Sequence, residues 1–535
     1  MERSLFFLAA LVLLTSSIPA KDALAGEKRI KTPGSCPTGI AFDGKNLWVA
    51  DHKSDVIYEI SPDDGKVVSS FPAPANRPAG VAVDPAAKTL FVSDLGEKRI
   101  YLIDMESQIV VHSFESPVEN PAGLAWDGKA LYVSDSREDK IHSIDARDGT
   151  TINTIPAPSE NVTGLAFDGK YLWAADRVED EIYMIDQRDG EVINIVKSPG
   201  KYPFGIAFSG QNLLVADYQS DDITLVDVEK LYKEKVVKWD GKKYRVEFFN
   251  ELNNYGPDQL VSGDIYIAVP QSLDSQNLLE EVVFEPSGYA TVKDQFGQSF
   301  AHYSYKDATA GEFKKAVMKT AVELFNVRYF IDPEKTGKLS DIPKGMKIYL
   351  EDGDKYLIND SFIKSSVKEA VGDEKSPYWI VRKIYNHVIK KMGYDLSGGW
   401  NAAPTVLKRG SGSCSEYTFV MISMLRAAGI PARYAGSIVV RGDDASWDDV
   451  YHRWVEVYLP NYGWIPVDSQ KGDKPTPAKR AKGFGELDNK LLITTLSGGG
   501  SKFLEWTYNS NVFYQCKGRC KVSIESIAEW EPYIQ

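Results

Sequence analysis

Five near-copies of one motif fill the first part of the chain: PTGIAFDGKNLWVAD, PAGVAVDPAAKTLFVSD, PAGLAWDGKALYVSD, VTGLAFDGKYLWAAD and PFGIAFSGQNLLVAD. Their glycines, Gly39, Gly80, Gly123, Gly164 and Gly205, recur every 41 to 43 residues, and the closing aspartates Asp51, Asp94, Asp135, Asp176 and Asp217 keep step. A fixed period of this size means that each repeat is one supersecondary unit, too small to bury its own apolar face without a neighbour. Within a unit come three short alternating runs, as in GIAFD, NLWVAD and VIYEIS. A turn such as PDDG or RDG then leads into a fourth run, such as KVVSSFPAP.

Four strands per repeat is the arithmetic of a β-propeller blade. The pattern resembles the NHL and YVTN-type propellers over roughly residues 28–228, within a domain set at 26–232. The opening RIKTPGSC matches the end of a blade, so the N-terminal strand is expected to complete the last blade and close the ring. Five blades is the simplest count; six results if Val236–Phe249 adds a degenerate one. The repeated aspartates read as turn residues that satisfy backbone donors, in preference to metal or ligand contacts. A propeller offers a rigid face for a protein or a cell-envelope polymer, but its fold names no partner.

At 535 residues the chain exceeds one hydrophobic core and divides into several domains. With 62 basic against 75 acidic residues and a net charge of −13, it lacks the cationic surface that nucleic-acid binding requires. Arg3, the apolar run Leu5–Leu14 and the small-residue pattern Ala23-Leu24-Ala25 read as an export signal occupying residues 1–25, with the mature chain starting at Gly26. An uncleaved anchor is the alternative, but the run is short for a bilayer. The expected location is secreted or periplasmic, with no stable membrane span after cleavage. Of four cysteines, Cys516 and Cys520 in CKGRC are close enough to pair as a disulfide; a metal site there lacks partners. Cys36 is isolated and reads as structural, which leaves Cys414.

From about Lys235 a second β pattern begins, with YRVEFFNEL, SGDIYIAVP and KAVMKTAVELFNVRYFI. AVMKTAVELF also fits a helix, but the continuing alternation of Val322, Phe325, Val327, Tyr329 and Ile331 favours strand. Residues 233–335 are therefore expected to form a β-sandwich, and 336–375 a polar connector. SPYWIVRKIYNHVIKKMGYD reads as a helix with Ile380, Ile384, Val388 and Met392 on one face, and it opens an α+β domain at 376–500. Residues 501–535 are left as a C-terminal extension.

GSGSCSEYTFVMISMLRAAGIPAR places Cys414 in the first turn of a helix that ends at Gly429 with Pro431 beyond. A thiol there meets the positive end of the helix dipole, which favours the nucleophilic thiolate. Downstream, YHRWVEVYLPNYGWIPVD reads as a hairpin with His452 opening the first strand and Asp468 ending the second, so both lie at one end. A carboxylate there would fix the tautomer of a histidine facing the thiol. Alternation alone leaves the hairpin register open.

These segments resemble the transglutaminase-like superfamily, circularly rearranged relatives of papain, over about residues 376–475. The all-β module before them is similar to one that often precedes such domains. The resemblance implies a Cys–His–Asp triad: Cys414 attacks a carboxamide or peptide carbonyl to give a thioester, His452 serves as base then acid, and Asp468 orients it. It also implies an upstream side chain at the oxyanion, for which Trp400 and Asn401 are the candidates; the backbone N–H of Cys414 is a further donor. Arg453 stands where a small residue is frequent, and Ser469-Gln470 follow the aspartate in place of Pro-Thr; both are expected at the rim of the site. Water would make the enzyme a peptidase or amidase acting on a peptide or protein, and an amine would make it a cross-linking transferase. The mechanism calls for no metal and no cofactor. The rival class is a non-catalytic scaffold in which the propeller holds a partner and the thiol domain is degenerate.

Overall fold

The computed structural model describes residues 28–396, 399–442 and 444–534; the export signal and its cleavage pattern lie outside the described residues. The repeats form five antiparallel sheets of four strands. The glycines explain the ring. A Cβ on Gly39 would sit 2.2 Å from the carbonyl of Ala79, one on Gly80 2.2 Å from that of Ala122, and one on Gly164 2.1 Å from that of Phe204. Gly205 closes the circle against the carbonyl of Thr38 at 2.3 Å. Each repeat therefore uses its glycine to let the innermost strand of the next blade approach, which a side chain would forbid.

Arg29–Lys31 pairs antiparallel with Asp222–Thr224, so the N-terminal strand completes the last blade as expected. The sixth-blade alternative is overturned. Val236–Phe249 belongs to a long strand, Val236–Pro257, that leaves the propeller after helix α1 (Val228–Glu234) and pairs with Phe313–Tyr329 instead. The ring is already closed by Gly205, and no gap is left to fill. The repeated aspartates do hold turns together: Asp51 accepts the N–H groups of Cys36 (2.7 Å), Lys53 (3.1 Å) and Ser54 (2.8 Å). Asp94 and Asp217 repeat the pattern on Arg77, Gly96 and Glu97 and on Tyr202, Gln219 and Ser220.

AVMKTAVELF lies inside the strand Phe313–Tyr329. That strand and Val236–Pro257 build one sheet of a sandwich, and Leu260–Ala268 and Ser299–Ala308 build the other. Val246, Phe248, Ile265, Ile267, Met318 and Trp530 fill the space between. Residues 501–535 are not an appendage. Ser510–Cys516 joins the second sheet and Cys520–Pro532 the first, with Cys516 and Cys520 disulfide-bonded at the turn between them. Their cross-strand partners are too distant in sequence to be recognised locally.

Among the described residues the α+β part holds five more α-helices: α2 (Ser361–Val371), α3 (Pro377–Lys391), α4 (Ala403–Arg409), α5 (Cys414–Ala427) and α6 (Pro477–Ala481). α2 falls in the stretch read as connector; Asp360 caps it and Ile363 and Val371 are buried, so this stretch is packed structure. α5 is buried along most of its length against α3, α2 and a four-stranded sheet ordered Gly463–Val467, His452–Leu459, Ala432–Val439, Leu491–Ser497. One apolar cluster runs from the fourth and fifth blades into this domain, joining Trp173, Met184 and Val226 to Tyr378, Ile380 and Phe484. Polar links reinforce it: Arg328 of the sandwich reaches both Glu181 of the propeller and Glu486, and Arg382 of α3 donates to Glu191 at 2.6 Å. Among the described residues, no helix is long and apolar enough to cross a membrane.

Candidate active site

The approach to α5 is fixed by two glycines. Gly410, at φ +77°, ends α4 in the left-handed region and returns its N–H to Val406 at 2.9 Å. At Gly412 a Cβ would lie 2.8 Å from Cβ of Glu416, so only glycine lets the chain pass into the helix. Glu416 is fully buried and acts as a hub. Its carboxylate accepts the backbone and side-chain amides of Asn401 (3.1 and 3.2 Å), the Ser413 N–H (3.3 Å) and the Arg409 guanidinium (2.6 Å). Cys414 therefore begins α5 on a tied-down backbone.

The hairpin register pairs Val455 with Val467, which puts Asp468 just past the strand end, opposite Trp454 and diagonal to His452 two residues along. His452 Nε2 lies 2.7 Å from Asp468 Oδ2. The other carboxylate oxygen accepts the N–H groups of Gln470 (3.0 Å) and Lys471 (2.9 Å), so the acid cannot swing. The other ring nitrogen is left for the thiol, and His452 and Cys414 interact directly, each shifting the other's pKa.

Charge follows this geometry. Burial alone would lower the pKa of His452, but the Asp468 carboxylate and the thiol outweigh it and push the ring up to about 10. Burial alone would raise Asp468, but the His452 charge and hydrogen bond, with the Lys471 N–H, hold it below the ordinary carboxylate range. Burial pushes the Cys414 thiol up; the hydrogen bond and charge of His452, then the charge and backbone N–H of Arg453, bring it below its ordinary value. The arrangement favours a thiolate–imidazolium pair.

Arg453 is not on the rim. It is fully buried, with its guanidinium 4.0 Å from the ring centroid of Tyr508 and 4.4 Å from that of Tyr434, and it donates to the Trp506 carbonyl at 2.5 Å. Its Nε and Nη1 have no hydrogen-bond partner among the described residues. The hairpin alternation that points His452 at the thiol sends the next side chain into the aromatic layer, where cation–π contact replaces hydration. Tyr508 arrives from the C-terminal segment, is paired with Ser415 and lies close enough to feel the Cys414 charge; nothing local marks it. Glu416 was legible as the fourth residue of Ser413-Cys414-Ser415-Glu416, a capping-box pattern.

Of the two oxyanion candidates, Asn401 is drawn to Glu416, and the Trp400 ring lies 5.4 Å from the Arg453 guanidinium with 41% of its surface exposed. Both sit beside the thiol helix; Tyr394, at the end of the short strand Gly393–Tyr394, and Leu396 are also exposed to solvent. On the histidine side, Ser446–Asp448 pairs with the C-terminal strand, and Tyr451, at φ +60°, turns the chain into His452 while its hydroxyl bonds Ser526. Among the described residues no cluster of His, Cys, Asp and Glu could hold a metal ion.

Residues 364–469 match the transglutaminase-like superfamily, and residues 93–216 match the SMP-30/Gluconolactonase/LRE-like region. Among curated proteins, an uncharacterised protein of Haemophilus influenzae is 26% identical over 166 residues, covering 27% of this chain and 45% of that protein. The uncharacterised protein YebA of Bacillus subtilis is 37% identical over 71 residues, 11% of this chain and 10% of its own. The chain thus spans less than half the length of these relatives. A solved chain from Cytophaga hutchinsonii, provisionally described as a cysteine protease, is covered in full by 56% of this chain, with 14% identity and a TM-score of 0.39. The glutaminyl cyclase of Myxococcus xanthus is covered over 94% of its length by 38% of this chain, with 12% identity and a TM-score of 0.35.

Proposed function

We propose that this chain, a propeller joined to a transglutaminase-like domain, is an exported thiol enzyme that transfers acyl groups from peptide or carboxamide bonds. The observation that carries the reading is Cys414 at the head of α5, its thiol pKa lowered by the neighbouring His452, whose ring Asp468 holds at 2.7 Å. The Cys414 thiolate attacks the carbonyl carbon, and the carbonyl π electrons move to oxygen. The backbone N–H of Cys414, in the first turn of α5 where helical donors have no intrahelical acceptor, is the assigned oxyanion donor, with Trp400 and Asn401 beside it. Imidazolium His452 then gives its proton to the leaving nitrogen as the C–N bond breaks, leaving a thioester. Neutral His452 next takes a proton from the second nucleophile, which displaces Cys414.

Hydrolysis is the favoured outcome. The exposed Tyr394, Leu396 and Trp400 form an apolar rim for peptide side chains, and His452 itself keeps 20% of its side-chain surface exposed, which leaves water a route. The scaffold reading predicts an ordinary thiol. To separate these, the protein is incubated with glutamine-containing peptides, quenched in acid and read by intact mass, with and without hydroxylamine. Acyl adducts on wild type, absent from Cys414→Ala, support the enzyme; hydroxamate in place of free acid would assign amine transfer. Absence of any adduct, with Cys414 alkylating as a free thiol, would leave the scaffold.

A further inference from the structure

The propeller carries a second site that the thiol chemistry does not use. A cavity of about 600 Å³ opens at its face, lined from blades one, two, four and five. Its cations are Arg77, Arg177 and Lys201, and none of the three forms an ion pair among the described residues. This concentration stands out in a chain of net charge −13. The aromatic lining is Tyr202, Phe204 and Tyr218; Tyr202 and Tyr218 are 44% and 47% exposed, and the Phe204 and Tyr218 rings are 6.4 Å apart. The repeat shows how such a surface arises. The five aspartates keep their turn contacts, but the residue that follows each one changes freely: His52, Leu95, Ser136, Arg177, Tyr218. Four of these five line the cavity. The scaffold position is fixed and the outward position varies, as in a surface shaped for one ligand.

We propose that this cavity binds an acidic peptide segment of a protein partner, one that carries an aromatic or branched apolar side chain between its carboxylates. Arginine and tyrosine are the residue types that dominate protein interfaces when grouped in a pocket, and the volume suits a few side chains. Guanidinium forks take carboxylates in paired hydrogen bonds, and the aromatic rings take the apolar side chain between them. Asp180, the carboxylate in the lining, sets the register by repelling acidic groups from its side and accepting a peptide N–H. The proposal does not depend on the activity of Cys414.

The test uses the full chain with Cys414→Ala, so that no peptide is consumed, and fluorescence polarisation of a labelled peptide alternating Glu with Phe. Binding is expected to weaken roughly tenfold in Arg77→Ala/Arg177→Ala, to weaken several-fold as salt rises from about 50 to about 300 mM, and to vanish when Lys replaces Glu in the peptide. Both arginines are exposed and unpaired, so a far-UV spectrum and melting temperature like the parent's are expected of the double variant. Failure to bind the acidic peptide, or equal binding by the double variant, overturns the proposal. So does arginine-dependent binding of oligogalacturonate in place of the peptide, which would assign the pocket to an acidic glycan.

Discussion

His452 Nε2 and Asp468 Oδ2 meet at 2.7 Å inside a hairpin whose register sets them diagonally, two residues apart. Because the folded pKa of Asp468 is depressed, its contribution to stability is present above the unfolded carboxylate value of about 3.9 and lost as pH falls through the folded one. Because the folded pKa of His452 is raised to about 10, its contribution is complete below the unfolded value of about 6.5 and lost as pH rises through 10. The two overlap fully between about pH 4 and 6.5. Asp468→Asn should therefore destabilise the protein by about 3 kcal/mol near pH 6, and the difference should shrink steadily towards pH 10. Urea denaturation of the pair at a series of pH values measures it; a gap that is flat with pH would refute the coupling.

Iodoacetamide labelling of Cys414, followed by mass spectrometry, should be fast well below the free-thiol pKa of about 8.5 and show no step there. In His452→Ala the dominant lowering interaction is gone and burial remains, so the labelling curve should move to higher pH. If both proteins titrate alike, Cys414 is not activated by His452.

Arg453 should tune the same thiol through charge. Arg453→Met keeps much of the volume and the backbone N–H but removes the cation, and should slow labelling at pH 6 several-fold while the wild-type rate returns at high pH. Arg453→Lys should restore most of the rate at pH 6. A purely structural role would instead give the same loss in both variants.

The propeller ring offers a paired stability test. Gly123→Ala drives a Cβ to 2.7 Å from the Leu165 nitrogen and 2.8 Å from the Gly164 carbonyl carbon, all backbone that cannot move aside. The expected cost is about 3 kcal/mol. Gly345→Ala, where a Cβ meets nothing within 4 Å, should stay within about 0.5 kcal/mol. Guanidinium midpoints for the two variants decide this, and equal shifts would refute the close-approach account.

Calorimetry should show the propeller and the thiol domain unfolding in one transition, because a single apolar cluster spans both. Arg328→Met takes the shared guanidinium from the buried carboxylates of Glu181 and Glu486 at that junction and leaves them Lys482 and Lys471. It should cost about 2–3 kcal/mol near neutral pH, less at acid pH where the carboxylates can protonate. Two separate transitions in the wild type would show that the shared cluster does not couple the domains.

Local pattern decided a great deal here. The spacing of Gly39 to Gly205 dictated blades, because a close approach that only glycine permits recurs once per blade, but five over six was decided by ring closure at Gly205. The N-terminal strand was legible because RIKTPGSC copies the end of a repeat. Cys414 was legible from helix-end signals, and the Cys–His–Asp order from a hairpin whose turn is explicit. The rest required contacts between segments far apart in sequence. Residues 510–532 carry no local mark of belonging to the sandwich; only pairing with Val236–Pro257 and Leu260–Ala268 gives them a place, and through Trp447 and Tyr451 they steady the approach to His452. Arg453 looked like a rim residue because charge usually faces water. Tertiary packing placed it instead among Tyr434, Phe419 and Tyr508, where rings supplied from three separate segments replace its hydration and its charge lowers the thiol pKa. Periodicity reports which face of an element is buried; which foreign side chains meet that face is settled only when the elements assemble.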